Sequence, residues 1–417
     1  SNATAKKSLS VSLLTVGSLR AAATTGDAVS AYIYGTDIQT TNGDVGITAI
    51  GNTTAYAFCE EAGGIGLVSG SSTKAETYLG TDTRRQSVSA GVGGGADIEA
   101  AGNVTIRAYN SGSASSVVKK GTTAALVAVS TSKLPTSSFY STSAYVNGNS
   151  SITAGGSISV KSEDYTKATS NATATQIGFG VNAGSMYGSN TVDVRNAIDI
   201  TGALSAGGSL TVQAKSNADM YAKTYADGGG FFSGSTLKAV NDLIRTTSVS
   251  VGANSSLYAD FGDLLVEAVS GENDDIYTYS KISSGGVVAL GDAEATTDVD
   301  SSSLVTIGAG VSIRNRFNSV NIYSNASIDS IVAKVEVNTS GLGVRPYSYA
   351  NTDVNLTSRV TIAGNSGSLA SIEGRHVNIK SMIGELYVYT YTYANGKALG
   401  ADVDANTDMD IYITSET

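Results

Sequence analysis

The groups that could make or break bonds in this 417-residue chain are few. His376 is the only histidine and Cys59 the only cysteine. Any Ser/His/Asp or Cys/His arrangement would rest on one residue, and a zinc site of the usual ligands cannot be assembled. His376 stands beside Arg375 at the edge of an apolar stretch and reads as a solvated side chain. Cys59 falls on the small-residue parity of its segment and reads as a buried, inert thiol. Gly93-Gly94-Gly95-Ala96-Asp97 shares letters with a calcium-binding nonapeptide, but it does not return every nine residues, as stacked ligands would require. The remaining candidates are Glu272, Asp274 and Asp275, with Arg314, Arg316 and Arg375. Polysaccharide cleavage would need such carboxylates and cations to converge in one cleft. The expectation is a non-enzymatic chain with no catalytic residue, no metal ligand and no cofactor.

Binding is the better-supported chemistry. Tyr221 and Tyr225 alternate with Ala222 and Thr224, Tyr277 and Tyr279 with Thr278 and Ser280, and Tyr387, Tyr389, Tyr391 and Tyr393 with Val388, Thr390 and Thr392. Tyr56 and Phe58 alternate likewise with Ala57. Alternation of period two places one set of side chains on each face of a β-strand. Each segment therefore has a small-residue face and an aromatic face. Tyrosine offers an apolar ring and a polar tip at low entropic cost, which suits sugar or protein surfaces. The competing reading is that stacked tyrosines cover the sheet and support it through cross-strand contacts.

The elements that must position these residues are repeated. The phrase Gly156-Ser157-Ile158-Ser159-Val160-Lys161 returns in related form, and its first apolar residue marks Val45, Val104, Ile158, Leu210, Leu264, Val320 and Val377. The steps are 59, 54, 52, 54, 56 and 57 residues. A turn glycine keeps the same phase at Gly64, Gly121, Gly178, Gly229, Gly285, Gly341 and Gly396. A third marker is Val299, Val354 and Met409. It predicts outward columns of Asp298, Asp353 and Asp408, and of Asp300, Asn355 and Asp410, that could attract divalent cations. Ser10-Val11 resembles the stretch after the turn at Gly64-Ile65. Residues 1–3 read as a scar of tag removal and are set aside. Residues 4–417 read as one array that enters and leaves part-way through a repeat of a much longer protein.

Composition agrees with such an array. The chain has 48 Gly, 2 Pro, no Trp, 22 Tyr and 15% charged residues. Few prolines suit long hydrogen-bonded ladders. The net charge of −10 and the lack of a basic stripe argue against nucleic acid as partner. No apolar run approaches the roughly 18 residues of a membrane span, so no direct membrane insertion is expected. Inward Ala, Ser and Thr demand walls closer than the usual ~10 Å between packed sheets. A flattened all-β parallel β-solenoid, or β-helix, of about seven repeats of roughly 55 residues meets that demand. The chain would run out along one wall, turn at the glycine and return along the other. With no half-period near about 27 residues, each unit is expected to form one coil.

Phrases such as Ile152-Thr153-Ala154-Gly155-Gly156-Ser157-Ile158-Ser159-Val160 and Ser209-Leu210-Thr211-Val212-Gln213-Ala214 resemble the repeat regions of bacterial leukotoxin-type filamentous adhesins and haemagglutinin-like exoproteins. The resemblance covers the chain after residue 3. It implies a large secreted or cell-surface β-helical protein used for adhesion or toxicity. The partners would be a host-cell surface protein or glycan and further repeats of the same protein. It transfers no catalytic residue. A passive stalk is the alternative, and a polysaccharide-cleaving β-helix is a weaker one.

Overall fold

A computed structural model describes residues 1–8, 10–364 and 368–417. It is all-β, and the described residues form a parallel β-solenoid of one 17-stranded and one seven-stranded sheet. Val45 pairs with Val104, and the column continues through Ile158, Leu210, Leu264, Val320 and Val377. All seven markers thus stack in one line, so each repeat is a single coil.

The coil at Val104–Val146 illustrates the path. An outbound leg runs from Val104 to a bend near Gly121, and a return leg runs back to Val146. The short strand Ser151–Ala154 then closes the section, and the next coil begins at Ile158. Ladder pairing continues around the bend, where register irregularities fall between Lys120 and Thr123 and between Ala125 and Val127. Hydrogen bonds nested about Gly285 show the two legs facing each other. Ser280 Oγ donates to the Glu294 carbonyl at 2.5 Å, and Ser303 Oγ to that of Ala268 at 2.7 Å. At the bend the backbones leave no room for a Cβ. One on Gly286 would overlap the carbonyl oxygen of Gly230, and one on Gly230 that of Gly178.

The interior is divided. Where outbound leg, return leg and short strand meet, Val104, Ile106, Val146, Ile152, Ile158 and Val160 fill the space. Toward the bend only two walls face each other, and Ala55, Ala57, Ala114, Ala168 and Ala218 mix with larger residues such as Leu134, Tyr140, Met220, Ile276, Ile331 and Val335. Alanine takes a larger share of the core toward the bend than where the three walls meet. Three walls enclose a wider space, and branched side chains fill most of it.

A buried polar band separates the two halves. Asn110, Asp164, Ser216 and Ser270 form one column, facing Thr142, Asn196, Thr247 and Ser303 on the return leg. Ser216 and Thr247 share a hydrogen bond of 2.6 Å across the interior. Partners of this kind remove most of the cost of burying hydroxyls.

One sequence expectation needs correction. Val320–Val377, Gly343–Gly400 and Asp353–Asp410 all pair at a step of 57, so Asp408 lies opposite Asn351 and Met409 opposite Thr352. The acidic column is Asp242, Asp298, Asp353 and Asp410, while Asp300 and Asn355 are followed by Tyr412. A shift of two preserves the inward and outward parity, so alternation alone could not reveal it. Residues set aside as a scar also join the ladder: Asn2 and Ala3 pair with Tyr56 and Ala57. Ser10 and Val11 pair with Gly64 and Ile65, as their resemblance suggested.

Candidate functional site

The outward parity of the outbound legs collects the tyrosines on one wall. Tyr56, Ser115, Thr169, Tyr221, Tyr277, Val332 and Tyr389 share one column. Two residues further along lie Phe58, Val117, Asn171, Lys223, Tyr279, Lys334 and Tyr391, and two beyond that Tyr225, Lys281, Glu336 and Tyr393. Tyr387 continues the same parity on the strand His376–Lys397. The face is therefore a lattice of tyrosine, lysine and glutamate, not pure columns of tyrosine.

Its geometry is set by the coil spacing. Tyr221 and Tyr277 stack with ring centroids 5.3 Å apart and planes at 11°. Tyr389 and Tyr391 do so within one strand at 6.1 Å and 9°. Lys334 Nζ lies 5.8 Å from the ring centre of Tyr279 and 5.5 Å from that of Tyr391, a cation–π bridge between successive coils. Glu336 pairs with Lys334 at 2.6 Å and with Lys281 at 3.1 Å. It also accepts the Tyr279 hydroxyl at 3.2 Å.

Burial raises the Tyr279 phenol, and the Glu336 carboxylate beside it pushes it further. Burial also raises Tyr221 and Tyr277. Burial alone would raise Glu336 as well, but Lys334 and Lys281 outweigh it and hold the carboxyl below its ordinary value. The phenols are thus neutral donors at physiological pH, next to a fixed carboxylate. Tyr387 is 57% exposed and Tyr389 and Tyr393 each 42%, whereas Tyr221, Tyr225, Tyr277, Tyr279 and Tyr391 are half-buried by their neighbours.

Beside the Tyr221–Tyr277 stack, Lys167, Thr169, Asp219 and Asp275 complete a recess of about 210 Å³. The Tyr165 hydroxyl donates to Asp219, the main reason its phenol is pushed up to about 12. Ring faces, carboxylate acceptors and an ammonium donor around one recess can bind a hydroxyl-rich or amide-bearing group. A larger groove of about 610 Å³ lies on the return wall, bordered by Leu290, Asp292, Arg345 and Tyr347 and passing over Gly184, Gly234 and Gly291. Sequence reading missed it. Gly234, where a Cβ would meet nothing within 4 Å, was the available signal.

The carboxylates and arginines considered for polysaccharide cleavage do not converge. Asp274 points inward and is fully buried against Arg245, while Asp275 faces out. Glu272 pairs with Lys215. Arg314 and Arg316 lie by the short strands, near Glu373 and Asp260. Cys59 is buried with its thiol donating to the Lys74 carbonyl at 3.2 Å, and burial raises its pKa. His376 is exposed. Among the described residues no group of three or more His, Cys, Asp or Glu is arranged to hold a metal ion, and no helix is long and apolar enough to cross a membrane. No family model, curated protein or solved structure matches the chain.

Proposed function

We propose that this chain is a non-catalytic scaffold segment of a secreted or cell-surface bacterial adhesin or toxin, and that its tyrosine-rich wall attaches to a glycan or protein on a host surface. The observation that supports this most is the Tyr/Lys/Glu lattice, in which phenol donors and ring faces recur over successive coils. A repeating wall suits attachment by many weak contacts, because linked sites gain effective concentration without any single tight pocket. The test replaces Tyr387, Tyr389, Tyr391 and Tyr393, the most exposed stretch of the lattice, with Ser. Attachment to glycan arrays and to cells should fall by about tenfold or more, with the melting temperature nearly unchanged.

A passive stalk is the second reading, favoured by the contacts that the half-buried rings already make with each other and with Lys334. The same variant distinguishes the two. Undiminished attachment by a folded protein, or a large loss of stability, returns these tyrosines to covering the sheet.

A further inference from the structure

The narrow edge at the bend carries an unbroken apolar column. Leu67, Leu126, Phe179, Phe231, Val287 and Leu342 occupy the tip of successive coils, as the pairings on either side of each require. Five of the six are between 51% and 74% exposed. The bend segments 62–73, 121–132, 168–192, 228–237, 282–291 and 337–344 contain no Asp, Glu, Lys or Arg, in a chain that is 15% charged. Six charge-free bends in phase are a property of the edge and not of the composition. Packing does not require it, since these side chains point away from both halves of the core. Monomeric surfaces rarely leave an apolar stripe of this extent bare, and loss of charge with exposed Phe and Leu marks the centre of an interface.

We infer that this edge is a self-association surface on which a second copy of the chain docks, tip column against tip column. The spacing favours a copy over any other occupant. The ladder sets the tips about 4.8 Å apart, and a second copy carries the same interval, so the two columns can interdigitate along their whole length. A partner with one pocket would engage only two or three tips. From Leu13 to Leu399 the column spans about 34 Å. Val129, Val181, Phe232 and Leu290 beside it, all exposed, widen the column into a strip. Charge permits the contact as well. The net −10 is carried outside the bends, so apposed tips bring no like charges together. An anionic lipid surface would face that charge without a basic patch to offset it.

The test is sedimentation velocity on the intact chain from about 1 to 100 µM, beside the quadruple variant Leu126→Ser, Phe179→Ser, Phe231→Ser and Leu342→Ser. The wild type should form dimers, and the variant should raise the dissociation constant about 100-fold or more at unchanged circular dichroism. Phe179→Asp alone, which sets a charge on the column, should weaken the dimer in the same direction and serves if the quadruple variant does not fold. A wild type that stays monomeric throughout overturns the inference, as does a dimer indifferent to Phe179→Asp. Flotation of the monomer with phosphatidylcholine vesicles would assign the edge to lipid instead. None of these outcomes depends on the tyrosine wall.

Discussion

Arg245 and Asp274 face one another inside the solenoid, Nη1 2.7 Å from Oδ2, with both side chains wholly buried. The contact is one of charge and not of an aligned hydrogen bond. Ser301 Oγ receives the Arg245 Nε–H and Nη2–H at 3.0 and 2.9 Å, and Asp274 Oδ1 receives the Ala218 N–H at 2.7 Å. The pair sits where the outbound leg is interrupted. Ser216 pairs with Ser270 but Asp219 pairs with Asp275, so two residues are inserted, and Gly271 turns the chain at φ +77°. The insertion tucks Asp274 inward to meet Arg245, the one buried cation among the described residues.

Removing one partner leaves the other as a buried, unmatched charge, at a cost of about 3–5 kcal/mol. Asp274→Ala or Arg245→Met should therefore lower the denaturant midpoint strongly. The double variant Arg245→Met, Asp274→Leu should recover most of that loss, because hydrophobic replacements of similar volume avoid desolvating two ions. A double variant as unstable as the singles would show that the pair contributes more than mutual neutralisation. Urea melts of the four proteins supply the comparison.

Asp164 gives a dependence on pH. It lies in the polar band, where Asn110 Nδ2 and Thr142 Oγ1 donate to Oδ2 at 2.7 and 2.9 Å and Thr166 Oγ1 donates to Oδ1 at 2.9 Å. Burial nevertheless raises its pKa above the ordinary value, with those donors and Arg245 opposing. Between the unfolded and folded pKa the native state holds the extra proton. The contribution of Asp164 to stability therefore grows as pH falls through the folded pKa, and it is complete below the unfolded one. Glu76 and Glu336, whose pKa values are lowered, act in the opposite sense, so the difference between two proteins is the useful measure. Asp164→Asn should be at least as stable as wild type at pH 7.5 and should lose that advantage at pH 4. Thermal melts that run parallel across this range would contradict the assignment.

The bend glycines differ in what they tolerate. A Cβ on Gly286 meets the Gly230 carbonyl oxygen, whereas one on Gly234 meets nothing within 4 Å. Gly286→Ala should lower stability by about 2 kcal/mol or more through backbone displacement. Gly234→Ala should be neutral, or stabilising by about 0.4–1 kcal/mol through the unfolded chain. Equal effects in a chemical melt would show that the close approach at the bend relaxes without cost.

The tyrosine wall was legible in the sequence because a strand has only two faces, and Tyr221, Tyr277 and Tyr389 kept their parity over every coil. Their partners were not legible. Lys334 meets Tyr279 and Tyr391 from a different repeat, and only the offset between coils states which residues come together. The same limit displaced Asp408: the first marker kept the correct step of 57 from Val320 to Val377, but Gly396 and Met409 imitated the marker types two residues early.

Repetition and alternation by themselves determined the all-β class, the single coil per repeat and which side chains point outward, because these follow from local geometry of period two carried through a constant interval. Three features came only from the assembled coil. One is the division of the core, which depends on how many walls meet at a point. Another is the buried Arg245–Asp274 pair, which depends on an insertion closing across the interior. The last is the apolar edge, since the distance from marker glycine to tip residue changes from one bend to the next. Leu67, Phe179 and Leu342 fall into line only when the ladder aligns them.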